Sequence, residues 1–263
     1  MMRKLTNLMV VVATLVALAA CHHGPKNYRP VVNPEFEGKT KEQIFDQAEQ
    51  FYSHHKWAKS RTYYSYVYEN FPNDPLGRRS LLRVADTYFM QGDAVNLVEA
   101  QYKYRDFINR YPGSDRADYA MLQIANVSYK QMERPDRDQQ KTKEAIDKFN
   151  EMLRTFPHSE LRPLAEKNLG EAMDRLAKHE TIVAHYYMKR KSWNAAVLRL
   201  NYVVEQYPQY RERDAVFYDL ATALDRLGRT GEARLYYERL VSEFPKSDYA
   251  NRAQRRLAQL KAA

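Results

Sequence analysis

The chain has 263 residues, with 42 basic against 33 acidic side chains for a formal charge of +9, one cysteine and eight glycines. A lone cysteine forms neither an internal disulfide nor a structural zinc site, and the sparse glycines include no GxGxxG, Walker or GxSxG loop, which removes disulfide frameworks and the common nucleotide and hydrolase motifs. The basic residues are dispersed rather than gathered on one side. That argues for solubility and attraction to acidic surfaces, and against a nucleic-acid partner.

The chain opens on Met-Met-Arg-Lys, runs through an apolar stretch from Leu8 to Leu18, and reaches the small residues Ala19 and Ala20. This is the layout of a secretory signal peptide, and the apolar stretch is shorter than the about 20 residues of a comfortable membrane span. A buried N-terminal helix is the alternative, which leaves the basic start and small-residue end without a purpose. Leu18-Ala19-Ala20-Cys21 resembles the bacterial lipobox, which implies cleavage after residue 20 and acylation of Cys21. Three acyl chains exceed the two signals that stable anchoring takes. His22, where an inner-membrane lipoprotein carries Asp, implies the outer membrane, facing the periplasm. Loss of Arg3 and Lys4 with residues 1–20 leaves 40 basic against 33 acidic residues, a charge of +7. Residues 21–40, with Pro25, Pro30, Pro34, Gly24 and Gly38, read as an extended tether reaching up to roughly 50 Å.

From residue 41 the composition favours helix throughout. An aromatic–proline pair recurs at Phe71-Pro72, Tyr111-Pro112, Phe156-Pro157, Tyr207-Pro208 and Phe244-Pro245. Twelve residues before each proline stands a small residue: Ser60, Ala100, Ala145, Ala196 and Ala233. Four residues later come Tyr64, Tyr104, Phe149, Leu200 and Tyr237, and seven later Val67, Phe107, Met152, Val203 and Leu240. This is the spacing of the second helix of a tetratricopeptide repeat (TPR), in which the small residue admits a close neighbour and proline ends the helix. Thirteen residues after each proline, Ala85, Ala125, Gly170, Ala221 and Ala258 mark the next first helix, as Ala48 does in the first repeat. The predicted fold is all-α: a right-handed α-solenoid of five TPR-like helix pairs (about 41–72, 75–112, 115–157, 160–208 and 211–245) with a capping helix at 248–261.

Two departures from a 34-residue period stand out. MERPDRDQQK, residues 132–141, lengthens the turn of the third repeat. In the fourth, Ala184 follows Gly170 by fourteen residues, close to four turns, which predicts one long helix from about 160 to 190.

The run RLAKHETIVAHYYMKRKSWNAAVLRL at residues 175–200, with RPDRDQQ ahead of it, closely resembles the BamD family, the TPR lipoproteins of the outer-membrane β-barrel assembly machine. The resemblance covers the whole chain and implies a non-enzymatic scaffold without cofactors. It implies docking on the periplasmic domains of the barrel-forming subunit BamA through the C-terminal repeats, company with other lipoproteins of the machine, and receipt of unfolded β-barrel proteins at the N-terminal repeats. Matched to its motif, Tyr187, Arg190 and Arg199 are the expected BamA contacts, Arg199 suiting a buried carboxylate. The alternatives are that Tyr187 fills the core and that the two arginines are solvated.

For a substrate groove, Tyr52, Phe89 and Tyr129 stand four residues after the small positions of the first three repeats, whereas Asp225 holds that place in the last. Such a row on the concave surface suits a peptide, and Arg79, Arg83 and Lys130 near it suit a terminal carboxylate. Packing between repeats is the alternative use of the row. His179 and His185 are six residues apart, on different helix faces, and do not share a metal. A TPR pilotin guiding a secretin is the competing function, from which the segment at 175–200 separates the BamD-like reading; a cell-division coordinator calls for a coiled coil where the proline tether stands, and an envelope enzyme for a catalytic constellation that the sequence does not offer. Mass spectrometry of the mature protein is expected to find an N-terminal, acylated Cys21, and an unmodified Cys21 thiol overturns the anchor.

Overall fold

Helix is the only regular secondary structure in the computed structural model, which describes residues 34–262. The leader, Cys21 and most of the tether lie outside the described residues. The chain divides at Thr40. On the N-terminal side the described part is a single 3-10 turn, Pro34–Phe36, followed by Gly38 at φ 71°.

From Lys41 the helices come in pairs: α1 (Lys41–Ser53) with α2 (Trp57–Asn70), α3 (Pro75–Gln91) with α4 (Ala94–Arg110), and α5 (Ala117–Lys130) with α6 (Gln140–Thr155). The fourth pair is α7 (Arg162–Lys189) with α8 (Trp193–Gln206), the fifth α9 (Arg213–Arg226) with α10 (Thr230–Glu243), and α11 (Asp248–Ala262) closes the array. Each helix packs on the one before and the one after, and first helices also touch across repeats at α1–α3, α5–α7 and α9–α11. This is a right-handed TPR array with a terminal helix. No helix among the described residues is long and apolar enough to cross a membrane.

The small residues of the second helices, Ser60, Ala100, Ala145, Ala196 and Ala233, are wholly buried, and so are their large partners Tyr64, Tyr104, Phe149 and Leu200. Ser60 also turns its hydroxyl onto the Ala48 carbonyl at 2.9 Å, joining the two small positions of the first pair. In the first helices Ala48, Ala85, Ala125 and Ala221 are equally buried, but two expected positions are not. Gly170 is exposed, with open space where a Cβ would stand, and Ala184 is wholly buried in the core that takes in Ala196, Val197 and Leu200 of α8. Fourteen residues fall about 40° short of four helical turns, enough to swing Gly170 off the packed face. Ala258 is exposed because α11 has no second helix to receive; Ala250 and Ala253 are its buried residues instead.

The aromatic–proline pairs close all five second helices alike. Phe71, Tyr111, Phe156, Tyr207 and Phe244 have φ between −125° and −131° and ψ between 52° and 67°. Each donates its N–H to the apolar residue four before it, from Val67 to Leu240. The proline ring forbids the residue before it the helical conformation, so the helix ends there. Two residues past the proline a short polar side chain starts the next helix. Asp74, Ser114, Ser159 and Ser247 each accept from the N–H two residues on, at 2.9 to 3.2 Å. Within pairs the turn takes a left-handed residue: His55, Gly92, Lys191 and Gly228, with φ from 59° to 74°. The third pair is joined instead by the nine residues 131–139.

A single helix spans Arg162–Lys189, twice the length of its neighbour α8, as the spacing predicts. It also holds the long turn, because Arg175 donates to the carbonyls of Met132 and Glu133 at 3.2 and 2.8 Å. His179 Nδ1, which therefore carries a proton, donates to the Pro135 carbonyl at 2.7 Å. Inside the turn Gln139 donates to the carbonyls of Arg134 and Arg137. Ala145→Leu is expected to lower unfolding stability by about 1–3 kcal/mol through overpacking. Ala258→Leu is expected to stay within about 0.5 kcal/mol, as a surface change; urea unfolding followed by circular dichroism compares the two.

Candidate binding surfaces

Between the first two repeats a carboxylate organises the site. Glu49 of α1 receives Arg83 of α3 in a two-pronged pair, Nε to Oε1 at 2.8 Å and Nη2 to Oε2. The Arg83 guanidinium also lies 4.3 Å from the centre of the Tyr52 ring and its Nη1 reaches Asp86 at 3.4 Å. Tyr52 is braced edge-on by Trp57 at 5.0 Å. Arg79 stacks over Phe45 at 4.9 Å and keeps a loose 3.8 Å contact with Glu49, leaving its side chain 59% exposed.

Beneath Arg83, Asp86 is buried and accepts the hydroxyls of Tyr104 at 2.6 Å and Tyr119 at 2.8 Å. Burial pushes the Asp86 carboxyl above the usual carboxylate range, against the pull of both tyrosines and Arg83. Burial also works to raise Glu49, but the Arg83 hydrogen bonds and the charges of Arg83 and Arg79 hold it below that range. The signs are opposite. The Glu49 pair stabilises the fold above the ordinary glutamate pKa and loses that contribution as pH falls through the depressed value, whereas Asp86 binds its proton more tightly folded than unfolded. Over this network lies a cleft of 530 Å³ whose lining includes Arg78, Arg79, Arg83, Asp86, Arg116 and Tyr119. With Arg83 committed to Glu49, Arg79 keeps unused donors in the cleft beside Arg78 and Arg116.

The rest of the predicted row lies elsewhere. Lys130 sits 4.8 Å over the Phe89 ring and donates to the Phe89 carbonyl at 3.0 Å, capping the end of α3. It fills the space beside Gly92, where a Cβ would come within 2.4 Å of its Nζ. Tyr129 donates to Glu171 of α7 and packs edge-on against Phe149 at 6.0 Å. Burial, with Glu171 beside it, pushes its hydroxyl up to about 12. Tyr52, Arg79 and Arg83 thus share one site, Phe89 and Lys130 form a second, and Tyr129 joins the third repeat to the fourth. Asp225, at the same register, takes both prongs of Arg256 at 2.6 and 2.9 Å and ties α9 to the capping helix.

In the fourth repeat Tyr187 is partly buried against the C-terminal core. Its neighbour Tyr186 is 52% exposed, touches the Tyr187 ring edge-on at 5.6 Å, and carries Arg190 stacked over it at 4.8 Å. Two adjacent tyrosines on a helix point about 100° apart, so only one can face the core. Tyr187, three residues after Ala184 as Phe51 is after Ala48, takes the core side, and that offset was the available signal for an outward Tyr186. Arg199 has its carboxylate within the chain: Nη1 meets Oε2 of the buried Glu180 at 2.9 Å. Ile182 on α7, with Leu198 and Tyr202 on α8, adds exposed apolar surface. His185 is paired with Asp219 at 2.6 Å, which holds its pKa above the usual histidine value, so it and His179 are each committed to separate partners.

The YfiO family, described as an outer membrane lipoprotein, matches residues 37–237. Among curated relatives, the outer membrane protein assembly factor BamD of Neisseria meningitidis serogroup A is 25% identical over 219 residues, 81% of this chain and 82% of that one. The BamD of Xylella fastidiosa strain 9a5c is 25% identical over 231 residues, 82% and 73% of the two chains. Of solved structures, the TPR2AB-domain:pHSP90 complex of yeast Sti1 aligns with a TM-score of 0.46 at 16% identity, over 84% of this chain and 83% of that one. Since the family match takes in the Glu49–Arg83 pair, the cleft beside it and the whole of α7 and α8, the protein belongs to the YfiO/BamD family, as a non-catalytic TPR lipoprotein of the outer membrane, on its periplasmic face.

Proposed function

We propose that the protein is a periplasmic scaffold of the outer-membrane β-barrel assembly machine. Anchored through Cys21, it holds the periplasmic domains of BamA at its fourth and fifth repeats, stands beside other lipoproteins of the machine, and receives unfolded β-barrel proteins at its first two. The observation that carries this reading is the alignment with relatives named as outer membrane protein assembly factors, over about four fifths of the chain.

The chemistry of the two surfaces supports the division of labour. A stacked Tyr186–Arg190 pair on α7, with exposed Leu198 and Tyr202 on the following helix, has the aromatic and arginine character of an interface anchor. Tyr187 supports it from the core side. Arg199, fixed by Glu180 through one nitrogen and still 46% exposed, keeps further N–H groups for a carboxylate on BamA. At the other end, Arg79 offers its free donors to the terminal carboxylate of a barrel chain. Arg83 lines that cleft and Tyr52 braces its guanidinium from α1, Phe89 with Lys130 lies one turn or more along α3, and Tyr129 is assigned to inter-repeat packing.

Affinity capture of the lipidated protein from gently solubilised outer membrane is expected to recover BamA; a secretin in place of BamA sinks the reading in favour of a pilotin. The double variant Tyr186→Ala, Arg190→Glu is expected to cut BamA recovery by roughly tenfold with unchanged helicity, the loss typical of an interface hot spot. Recovery equal to the unaltered protein removes this pair from the interface. For the cleft, Arg79→Glu is expected to weaken a synthetic peptide carrying a barrel protein's C-terminal residues by about tenfold, as is amidation of the peptide's terminus.

A further inference from the structure

A second cleft, of 240 Å³, lies among α4, α5 and α6 and shares no lining residue with the Arg79–Arg83 cleft. Ile108, Met121 and Ile124 line it, together with two cations, Arg105 of α4 and Lys148 of α6. Neither cation makes a hydrogen bond or ion pair among the described residues, and what sets them apart is that they line one cleft together. The nearby acids do not neutralise them: Glu144 is taken by Lys141 at 2.8 Å, and Glu151, which lines the cleft, is beyond ion-pair reach of both. Burial, and then the charge of Arg105, hold the Lys148 ammonium below the usual lysine value against the pull of Glu144 and Glu151. Arg105 is exposed and Lys148 partly buried, and a half-buried ammonium beside a like charge, with no acid within ion-pair reach, is held at a cost that an incoming anion relieves.

The cleft continues an apolar strip. Val95, Val98 and Tyr102 of α4 are 73%, 63% and 61% exposed. With Arg105 they fall at offsets of three, seven and ten from Val95, which aligns them along one helix face over about 15 Å. The opposite face, Leu97, Ala100, Tyr104 and Phe107, is buried. The strip is therefore surplus to the fold, and it ends at the cations.

We propose that this face of the second and third repeats docks an acidic, apolar segment of a partner polypeptide, with apolar side chains over Val95, Val98 and Tyr102 and a carboxylate entering between Arg105 and Lys148. The occupant follows from charge complementarity: the cleft lacks one negative group, and the strip beside it asks for side chains rather than a free ion. This surface lies outside both surfaces assigned to BamA and to barrel chains, and stands or falls separately from them.

The test is fluorescence anisotropy of a labelled peptide alternating leucine with aspartate, titrated with the full-length lipoprotein in detergent micelles, beside the same peptide with asparagine. Saturable binding of the acidic peptide, about tenfold tighter than its asparagine analogue, is expected. Arg105→Glu with Lys148→Glu is expected to abolish that preference and transfer binding to a leucine–lysine peptide, while Val98→Ser with Tyr102→Ser weakens the acidic peptide severalfold. Arg105→Gln with Lys148→Gln replaces the charge reversal if circular dichroism shows lost helicity. Equal binding of the two peptides, or undiminished acidic-peptide binding by a folded charge variant, overturns the proposal. So does displacement of the peptide by phosphatidylglycerol vesicles but not by phosphatidylcholine vesicles, which marks the face as a lipid contact.

Discussion

A proline after each second helix takes away one N–H and crowds the residue before it, and the architecture depends on that steric fact being repeated. Five aromatic residues ahead of five prolines share a narrow range of backbone angles, so five chain reversals leave their helices in the same direction. An Asp or Ser two residues on then starts the next helix in four of the five cases. Given equal exits and entries, each small residue is delivered to the same close contact. The connection inside a pair is less constrained, and there the array tolerates both a tight turn of two or three residues with one left-handed position and a nine-residue connection.

Polar contacts then bind one repeat to the next. Arg83 to Glu49 spans 34 residues, Tyr119 to Asp86 spans 33, His185 to Asp219 spans 34, and Arg256 to Asp225 spans 31. These separations are close to one repeat length, which places equivalent faces of neighbouring first helices together. Such links employ a minority of the 42 basic side chains, chosen by register rather than by number.

Much of this is legible in the sequence itself, and the boundary of legibility has a physical cause. Periodicity reports which residues must be buried, so Ser60, Ala100, Tyr104 and Phe149 could be placed by counting, and the long fourth-repeat helix by the distance between small residues. Counting fails where helical phase drifts, as at Gly170, and where the next helix is absent, as at Ala258. It also does not show which partner a polar group takes. The row Tyr52, Phe89, Tyr129 shares a register, yet one residue stacks under Arg83, another under Lys130, and the third bonds to Glu171. Arg199 called for a buried carboxylate and has one nineteen residues back in its own chain. A scan for opposite charges one repeat apart would have exposed several of these pairs.

The nine-residue turn and the lengthened α7 belong together. Arg175 and His179, four residues apart on the helix, are spent on three carbonyls of the turn. A shorter turn would strand both side chains, and a helix of ordinary length would leave the carbonyls without donors. Exchange of repeats between family members therefore has a natural unit that starts at Gln131 and runs to the end of α7, and chimaeras cut inside it would inherit half of a fastening.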